Sequence, residues 1–379
     1  MSFDELPREW DVVAVGAGVA GAVAALHLAR SKLRVLLVEK SAWPREKTCG
    51  GCLNAAALHA LADAGIELDE GRAYARMRLV CGGRFAGLPL PRGLAISRKR
   101  LDALLVEHAI RAGARFVPET RASLGEAGRY GREVLLKSGA ASSATIARVV
   151  LDCSGLAGRL QLDVGWRIAP HARIGVGASV RDVSAWYGPG AIHMACAAHG
   201  YVGLVRAEDG IANVAAALDP EWCGETGGPA RAISEILAGA GLPAIRHLRE
   251  VHWRGTPHLT RVRRALGAER VLALGDAAGY VEPFTGEGMA WAIADAAAVV
   301  PLVCEAVADW SDGIIARWGA LHARNVRARQ RVCRGVSRVL RHPRLLAAAL
   351  PMLDAAPALV LPLSKWLNRD FGPSTMVHR

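Results

Sequence analysis

The sequence predicts an α/β protein in which a three-layer, parallel-sheet domain is interrupted by an inserted antiparallel sheet and followed by a helical C-terminal region. Three observations lead there. Residues 11–39 read as strand, helix and strand; short β-branched runs divided by Gly, Pro and Asp fill residues 157–265; and a buried-strand pattern with its own glycine-rich turn returns from residue 271. At 379 residues the chain is too long for one ordinary domain. Its 52% hydrophobic content, with 41 glycines and only 5% aromatic residues, suits small side chains that let helices lie close to a sheet.

Each element follows in order. Residues 11–15 form a continuous apolar strand, 19–31 an Ala-rich helix and 34–39 a second apolar strand, which together make a βαβ unit. Leu101, Leu104, Leu105 and Ala109 recur at helical spacing, and residues 148–152 return to a β-branched strand of the same domain. Residues 174–180, 201–205 and 211–218 are the strands of the antiparallel insert. Residues 271–274 are again a buried strand, and 288–298 a helix that brings the chain back. The first domain is therefore discontinuous, made of residues 1–74, 97–158 and 267–312, while 75–96 and 159–266 build the second domain. Residues 313–379 read as helices broken at Pro343, Pro351, Pro357 and Pro362.

Composition narrows the setting. Eight scattered cysteines do not form a compact disulfide framework, so reduced thiols are expected. Residues 1–10 are polar, unlike a secretory leader, and the apolar run 345–363 contains Asp354 and three prolines, which rejects a membrane span. The expectation is a cytoplasmic protein, with a peripheral place at a membrane kept open. The net charge of +12 is mostly arginine. Nine Arg and no acid lie between Arg317 and Arg344, and Arg324, Arg327, Arg331, Arg334, Arg338 and Arg341 share one helical face. That face fits an anionic membrane surface, an acidic carrier protein, or plain solvent. Nucleic acid is excluded as a partner, because no recognisable nucleic-acid fold or stacking pattern accompanies the charge.

Two motifs carry chemistry. Gly16-Ala17-Gly18-Val19-Ala20-Gly21 lies between the first strand and helix, and Glu39 ends the second strand. In that context Gly16 permits a tight turn, Gly18 lets backbone approach a pyrophosphate, Gly21 allows close packing, and the helix N-terminus attracts phosphate. Glu39 would accept hydrogen bonds from an adenosine ribose, and Lys40 and Arg45 are counted with this Rossmann-like site. The second motif runs from Gly275 to Met289, after a buried strand and into a helix. Asp276 would bond a ribitol hydroxyl, while Gly286 and Gly288 let N–H groups come close to a flavin.

The GAGVAG turn with Glu39, the Arg98-x-x-x-Asp102 segment and GDAAG-x-x-x-P-x-x-GEG together resemble the flavoprotein superfamily of geranylgeranyl reductases, aromatic-ring hydroxylases and flavin-dependent halogenases, over residues 10–300. The resemblance implies bound FAD, with Arg98 near its phosphates, Asp276 at its ribitol and Pro283 beside its ring. Lys47-Thr-Cys49-Gly50-Gly51 is similar to the K-x-C-G-G segment of geranylgeranyl reductase-like proteins, the branch it matches best. Asp152-Cys-Ser-Gly-Leu-Ala-Gly-Arg159 lacks the glycine that follows the aspartate in hydroxylases and resembles the D-C-S-G stretch of halogenases, whose reduced flavin comes from a partner. NADPH, NADH and a separate reductase therefore all remain electron sources. The W-x-W-x-I-P element of halogenases and the Y-x-W-x-F-P element of prenyl reductases are both absent.

The resulting expectation is an FAD-dependent enzyme reducing a carbon–carbon double bond of an isoprenoid- or polyketide-like hydrophobic small molecule. The alternatives are a monooxygenase hydroxylating an aromatic or polyketide substrate, and a flavin electron module docked on a membrane or carrier. Cys49 or a bound water is the candidate proton donor, and His193 and Tyr201 on the antiparallel sheet, with His199 nearby, are candidates to hold a polar group. Cys49 and Cys52 also spell C-x-x-C, open to a redox dithiol.

Overall fold

A computed structural model describes residues 3–158, 160 and 165–371. Its central sheet, parallel except for the antiparallel edge strand Gly267–Ala268, has the strand order Gly267–Ala268, Val271–Ala273, Ala141–Asp152, Glu9–Val15, Val35–Val38 and Arg115–Val117. Period-two alternation sends opposite faces of each strand into different layers. Val12 and Ala14 pack under the helices Val19–Arg30, Arg98–Arg111 and Gly288–Ala298. Val13 and Val15 pack under a hairpin, Arg121–Gly128 and Gly131–Ser138, through Val134 and Leu136. These are the three expected layers, although the hairpin that completes them had no sequence signal strong enough to be read.

The inserted sheet runs Arg254–His258, Ile174–Val180, Ala212–Leu218, Gly200–Arg206, Ala191–Ala197, Arg72–Cys81, Arg84–Ala95 and Cys52–Leu53. It is antiparallel except where Ala191–Ala197 lies parallel to Arg72–Cys81, at the join between its two chain segments. One face is covered by the helix Pro229–Gly239, which buries Ile233, Ile236 and Leu237 against Val202 and Val214. That helix and its shorter neighbour Pro220–Glu225 lie where only strands were expected. The other face is turned toward the first domain.

The C-terminal region is helical, but one expected break is not there. Pro343, Pro357 and Pro362 sit in first turns, where a missing N–H costs nothing, whereas Pro351 lies inside the helix Pro343–Ala355. The carbonyl that Pro351 cannot serve, that of Ala347, accepts from Arg84 Nη1 at 3.4 Å. Among the described residues one continuous helical stretch, Gly288–Ala308, has the length and apolar composition to cross a membrane, and most of it is buried within the protein. The apolar run read at residues 345–363 folds into two helical pieces bent by 111°.

Candidate functional site

The site is built where the first strand meets its helix. Gly16 has φ +107, and a Cβ there would fall 2.4 Å from the Cys153 carbonyl oxygen; one on Gly21 would fall 1.9 Å from the Gly16 carbonyl oxygen. These two glycines close the turn on its neighbours. Gly18 differs, since it starts the helix without a side-chain cap, and the atoms nearest to a Cβ on it would be Arg98 Nη2, Arg45 Nη2 and Lys47 Nζ, at 3.5, 3.6 and 3.9 Å. Free helix N–H groups and three cations thus border one space, a setting that favours phosphate oxygens.

Buried carboxylates hold those cations. Asp102 accepts from Arg98 Nε and Nη2 at 2.9 and 2.8 Å and from Arg45 Nη1 at 2.8 Å. Glu39 accepts from the N–H groups of Ala17 and Ser41 at 3.2 and 3.0 Å and from Arg45 Nε at 3.1 Å. Lys47 lies 3.6 Å from Asp276, and its pKa is below the ordinary lysine value because it is taken out of water and, next, because Arg98 is close.

The second loop is anchored from behind. Gly275 has φ +58, a Cβ on it would fall 2.9 Å from Ala20 Cβ, and its N–H donates to Asp295 at 3.3 Å. Asp295 also lies 3.0 Å from His322 Nδ1, and the Trp318 indole donates to the Ala273 carbonyl at 2.9 Å. No motif marks this anchor; its one legible signal is a single acid in an otherwise apolar helix.

Between the two loops and the open face of the inserted sheet runs a cleft of about 1670 Å³, part of it open to solvent. Gly18, Ala20, Lys47, Arg98 and Asp276 form its polar portion; Cys49, Gly50, Gly51, Pro283, Gly286, Gly288 and Met289 line it further; Met77, Leu90, Ile192, Met194, Leu259 and Phe284 make it apolar. Gly16, Ala17, Gly21, Glu39, Arg45 and Gly275 support this wall without forming it, and Lys40 is exposed beside Glu39. A Cβ on Gly50 or Gly286 would meet nothing within 4 Å, whereas one on Gly51 would collide with the Ile96 carbonyl and Asn213, so Gly51 is small for packing.

Tyr201 lines the cleft and is buried with its ring edge-on to Phe284, and its hydroxyl is buried with no hydrogen-bond partner among the described residues. Burial, then Glu282, pushes its pKa well up, so the phenol stays protonated. Cys49 Sγ accepts from the Gly51 N–H at 3.4 Å. The Cys52 thiol is pushed up by burial and then by Cys49, the reverse of what a redox dithiol requires, and both cysteines are free.

The histidine expectations need correction. Ile192 and Met194 line the cleft, so period-two alternation turns His193 to the opposite face. There it packs on Trp186 and Tyr187, with Nε2 3.2 Å from the Gly188 carbonyl. His199 stacks on Trp222 outside the cleft. Asp152 is buried and accepts from the Ser154 N–H at 3.1 Å, with Arg263 at 3.0 Å. Arg159 of the same motif lies outside the described residues.

The family described as FAD binding domain matches residues 9–313. Digeranylgeranylglycerophospholipid reductase 1 of Methanopyrus kandleri is 30% identical over 308 residues, which cover 74% of this chain and 76% of that protein. An uncharacterized protein of Methanosarcina barkeri is 33% identical over 115 residues, only 29% of each chain. Among solved structures, p-nitrophenol 4-monooxygenase PnpA from Pseudomonas putida superposes with a TM-score of 0.77 at 15% identity, over 96% of this chain and 99% of that one, which is a likeness of fold.

Proposed function

Because the chain belongs to the FAD binding domain family and is an FAD-dependent oxidoreductase, we propose that its reaction is reduction of a carbon–carbon double bond in a hydrophobic, isoprenoid- or polyketide-like molecule. The observation that carries this reading is the wall beyond the glycine-lined part of the cleft, where Met77, Leu90, Ile192, Met194, Leu259 and Phe284 outnumber the polar side chains such as Cys49, Tyr201 and Tyr280. The residues present fit FAD. The uncapped helix end at Gly18, with Arg98, Arg45 and Lys47 beside it, suits a diphosphate, and the empty space over Gly50 and Gly286 accommodates a flat ring against backbone.

Reduced FAD, when bound, supplies the hydride. The chain's own work is to hold the diphosphate at Gly18, to bring an apolar substrate along Met77, Met194 and Phe284, to keep water out, and to provide a proton. Cys49 and Tyr201 are the cleft side chains with an exchangeable proton that this reading assigns to that step. The similarity to the Methanopyrus reductase supports it; the PnpA likeness, at the level of fold, does not weigh against it.

The test is a single turnover of reduced, FAD-loaded enzyme without oxygen, against a panel of polyprenyl and polyketide alkenes. The expected result is flavin reoxidation with a product that has gained two hydrogens. A product that gains oxygen in air, with no anaerobic turnover of any alkene, would replace the reductase reading with hydroxylation.

A further inference from the structure

The helix Pro343–Ala355 packs on the strands Arg72–Cys81 and Arg84–Ala95 through Leu346, Ala347, Leu350 and Leu353. A surface helix of this kind ordinarily turns polar residues outward. Here the outward stripe is Leu345, Ala348, Met352 and Ala355, all exposed, with Leu345 at 67% and Met352 at 58%. The next turns continue it with Leu359 at 58% and Leu363 at 43%. Six apolar side chains, four of them large, along the outside of two consecutive helical pieces are not ordinary surface scatter.

The surrounding charge is predominantly positive. Arg324, Arg327, Arg331, Arg338 and Arg344 are exposed on the preceding helix and its junction, and Lys365 is exposed just past Leu363. Arg329 of the same segment turns inward and donates to the Leu367 carbonyl at 2.5 Å, while Arg341, partly buried, donates to the His171 carbonyl at 2.6 Å. The acids between residues 313 and 371 are Asp354 and Asp370 alone. Asp354 accepts from the Gly87 N–H at 2.8 Å, and Asp370 lies 2.8 Å from His59.

We infer that this C-terminal face beds on an anionic lipid bilayer, its apolar stripe at the boundary of headgroups and acyl chains and its arginines on lipid phosphates. The 111° bend makes the helix pair unsuited to crossing as one rod and suited to lying in the interface. A second copy of the chain would bring like charges together at the contact. An acidic protein would use the arginines and leave the apolar stripe without a role. The docked helices rest on strands whose Met77 and Leu90 line the cleft, and Asn368, just past the last helix, lines it as well. Docking therefore sets strands of the cleft wall beside the lipid, a consequence that does not depend on which reaction runs inside it.

The experiment is flotation of the full, FAD-loaded chain with vesicles of phosphatidylcholine alone or mixed with phosphatidylglycerol, at low and high salt. Binding to the anionic vesicles at low salt is expected to exceed binding to the neutral ones by about tenfold or more, and to weaken as salt rises. The triple variant L345S/M352S/L359S is expected to lose about tenfold or more in affinity at either salt. The variant R324Q/R331Q/R338Q is expected to lose the preference for anionic lipid. All six positions are exposed, so flavin content and unfolding midpoint should match those of the unaltered protein, which separates lost docking from lost folding. Absence of vesicle binding at low salt overturns the inference, as does unchanged binding in both variants. A dimer that the serine variant dissociates while its vesicle binding stays the same would give the stripe to a second copy instead.

Discussion

Replacing Gly21 by alanine adds one methyl to the helix that grips the nucleotide. On the native backbone that carbon lies 1.9 Å from the Gly16 carbonyl oxygen and 3.1 Å from Cys153 Cβ. Favourable carbon contacts begin near 3.5 Å, so turn and helix would have to part by roughly 1.5 Å. No side chain can rotate to make that room, because the main obstacle is backbone. Gly16 cannot retreat either, since its N–H donates to the Val38 carbonyl at 2.7 Å and Cys153 stands behind it. Overpacking a filled core costs about 1–3 kcal/mol, and a backbone collision belongs at or above the top of that range. Out of a total stability of about 5–15 kcal/mol, that is a large share. The assay is urea unfolding of the FAD-free protein followed by circular dichroism, with flavin occupancy read from absorbance. Both should fall, because the Gly18 helix end moves with the same turn. Gly50→Ala is the control, having nothing within 4 Å of its new carbon, and should unfold within about 0.5 kcal/mol of the unaltered protein. If Gly21→Ala and Gly50→Ala unfold at the same urea concentration, the packing argument is wrong.

Three more expectations follow from the buried polar groups. Asp102→Asn removes the carboxylate that both Arg98 and Arg45 use, and since Arg45 keeps Glu39 at 3.1 Å, the uncompensated charge is chiefly that of Arg98. A loss of about 3–5 kcal/mol in the same unfolding assay is expected, and a loss under about 1 kcal/mol would refute the pairing. Burial raises the Glu287 carboxyl to about 7, against an opposing pull from Arg329. The folded protein therefore holds that proton more tightly than the unfolded chain, so this contribution to stability is complete below about pH 4.5 and is lost as pH rises to about 7, amounting to about 3 kcal/mol. Glu287→Gln should flatten that part of the pH profile, and an identical profile in the variant would show that Glu287 is not responsible. Tyr201→Phe removes a buried hydroxyl that has no partner among the described residues, so stability should hold or rise by about 1 kcal/mol while turnover drops. Undiminished turnover would dismiss the hydroxyl from the reaction.

Much of the site could be read from local pattern alone. A glycine turn caught between an apolar strand and an Ala-rich helix has few conformations open to it, and both such turns, at Gly16 and Gly275, lie where their flanking residues indicated. The helices Val19–Arg30 and Gly288–Ala298 and the strand Ile174–Val180 were legible for the same reason, since their periodicity is a property of neighbouring residues. Glu39, Arg98 and Asp276 were legible as positions within motifs.

What the tertiary structure alone decided is which side each group faces and which distant group answers it. His193 and Tyr201 sit on adjacent strands of one sheet and looked equivalent; the phase of each strand turned one to the cleft and the other away. Pro351 reads as a helix breaker until Arg84, 263 positions back from Ala347 in the sequence, takes up the free Ala347 carbonyl. Asp102 reaches Arg45 across 57 residues, and Asp295 reaches His322 across 27. Composition and periodicity report the conformation of a segment; the burial and pairing of a charge are set by chain that arrives from elsewhere, and that information is not local to any motif.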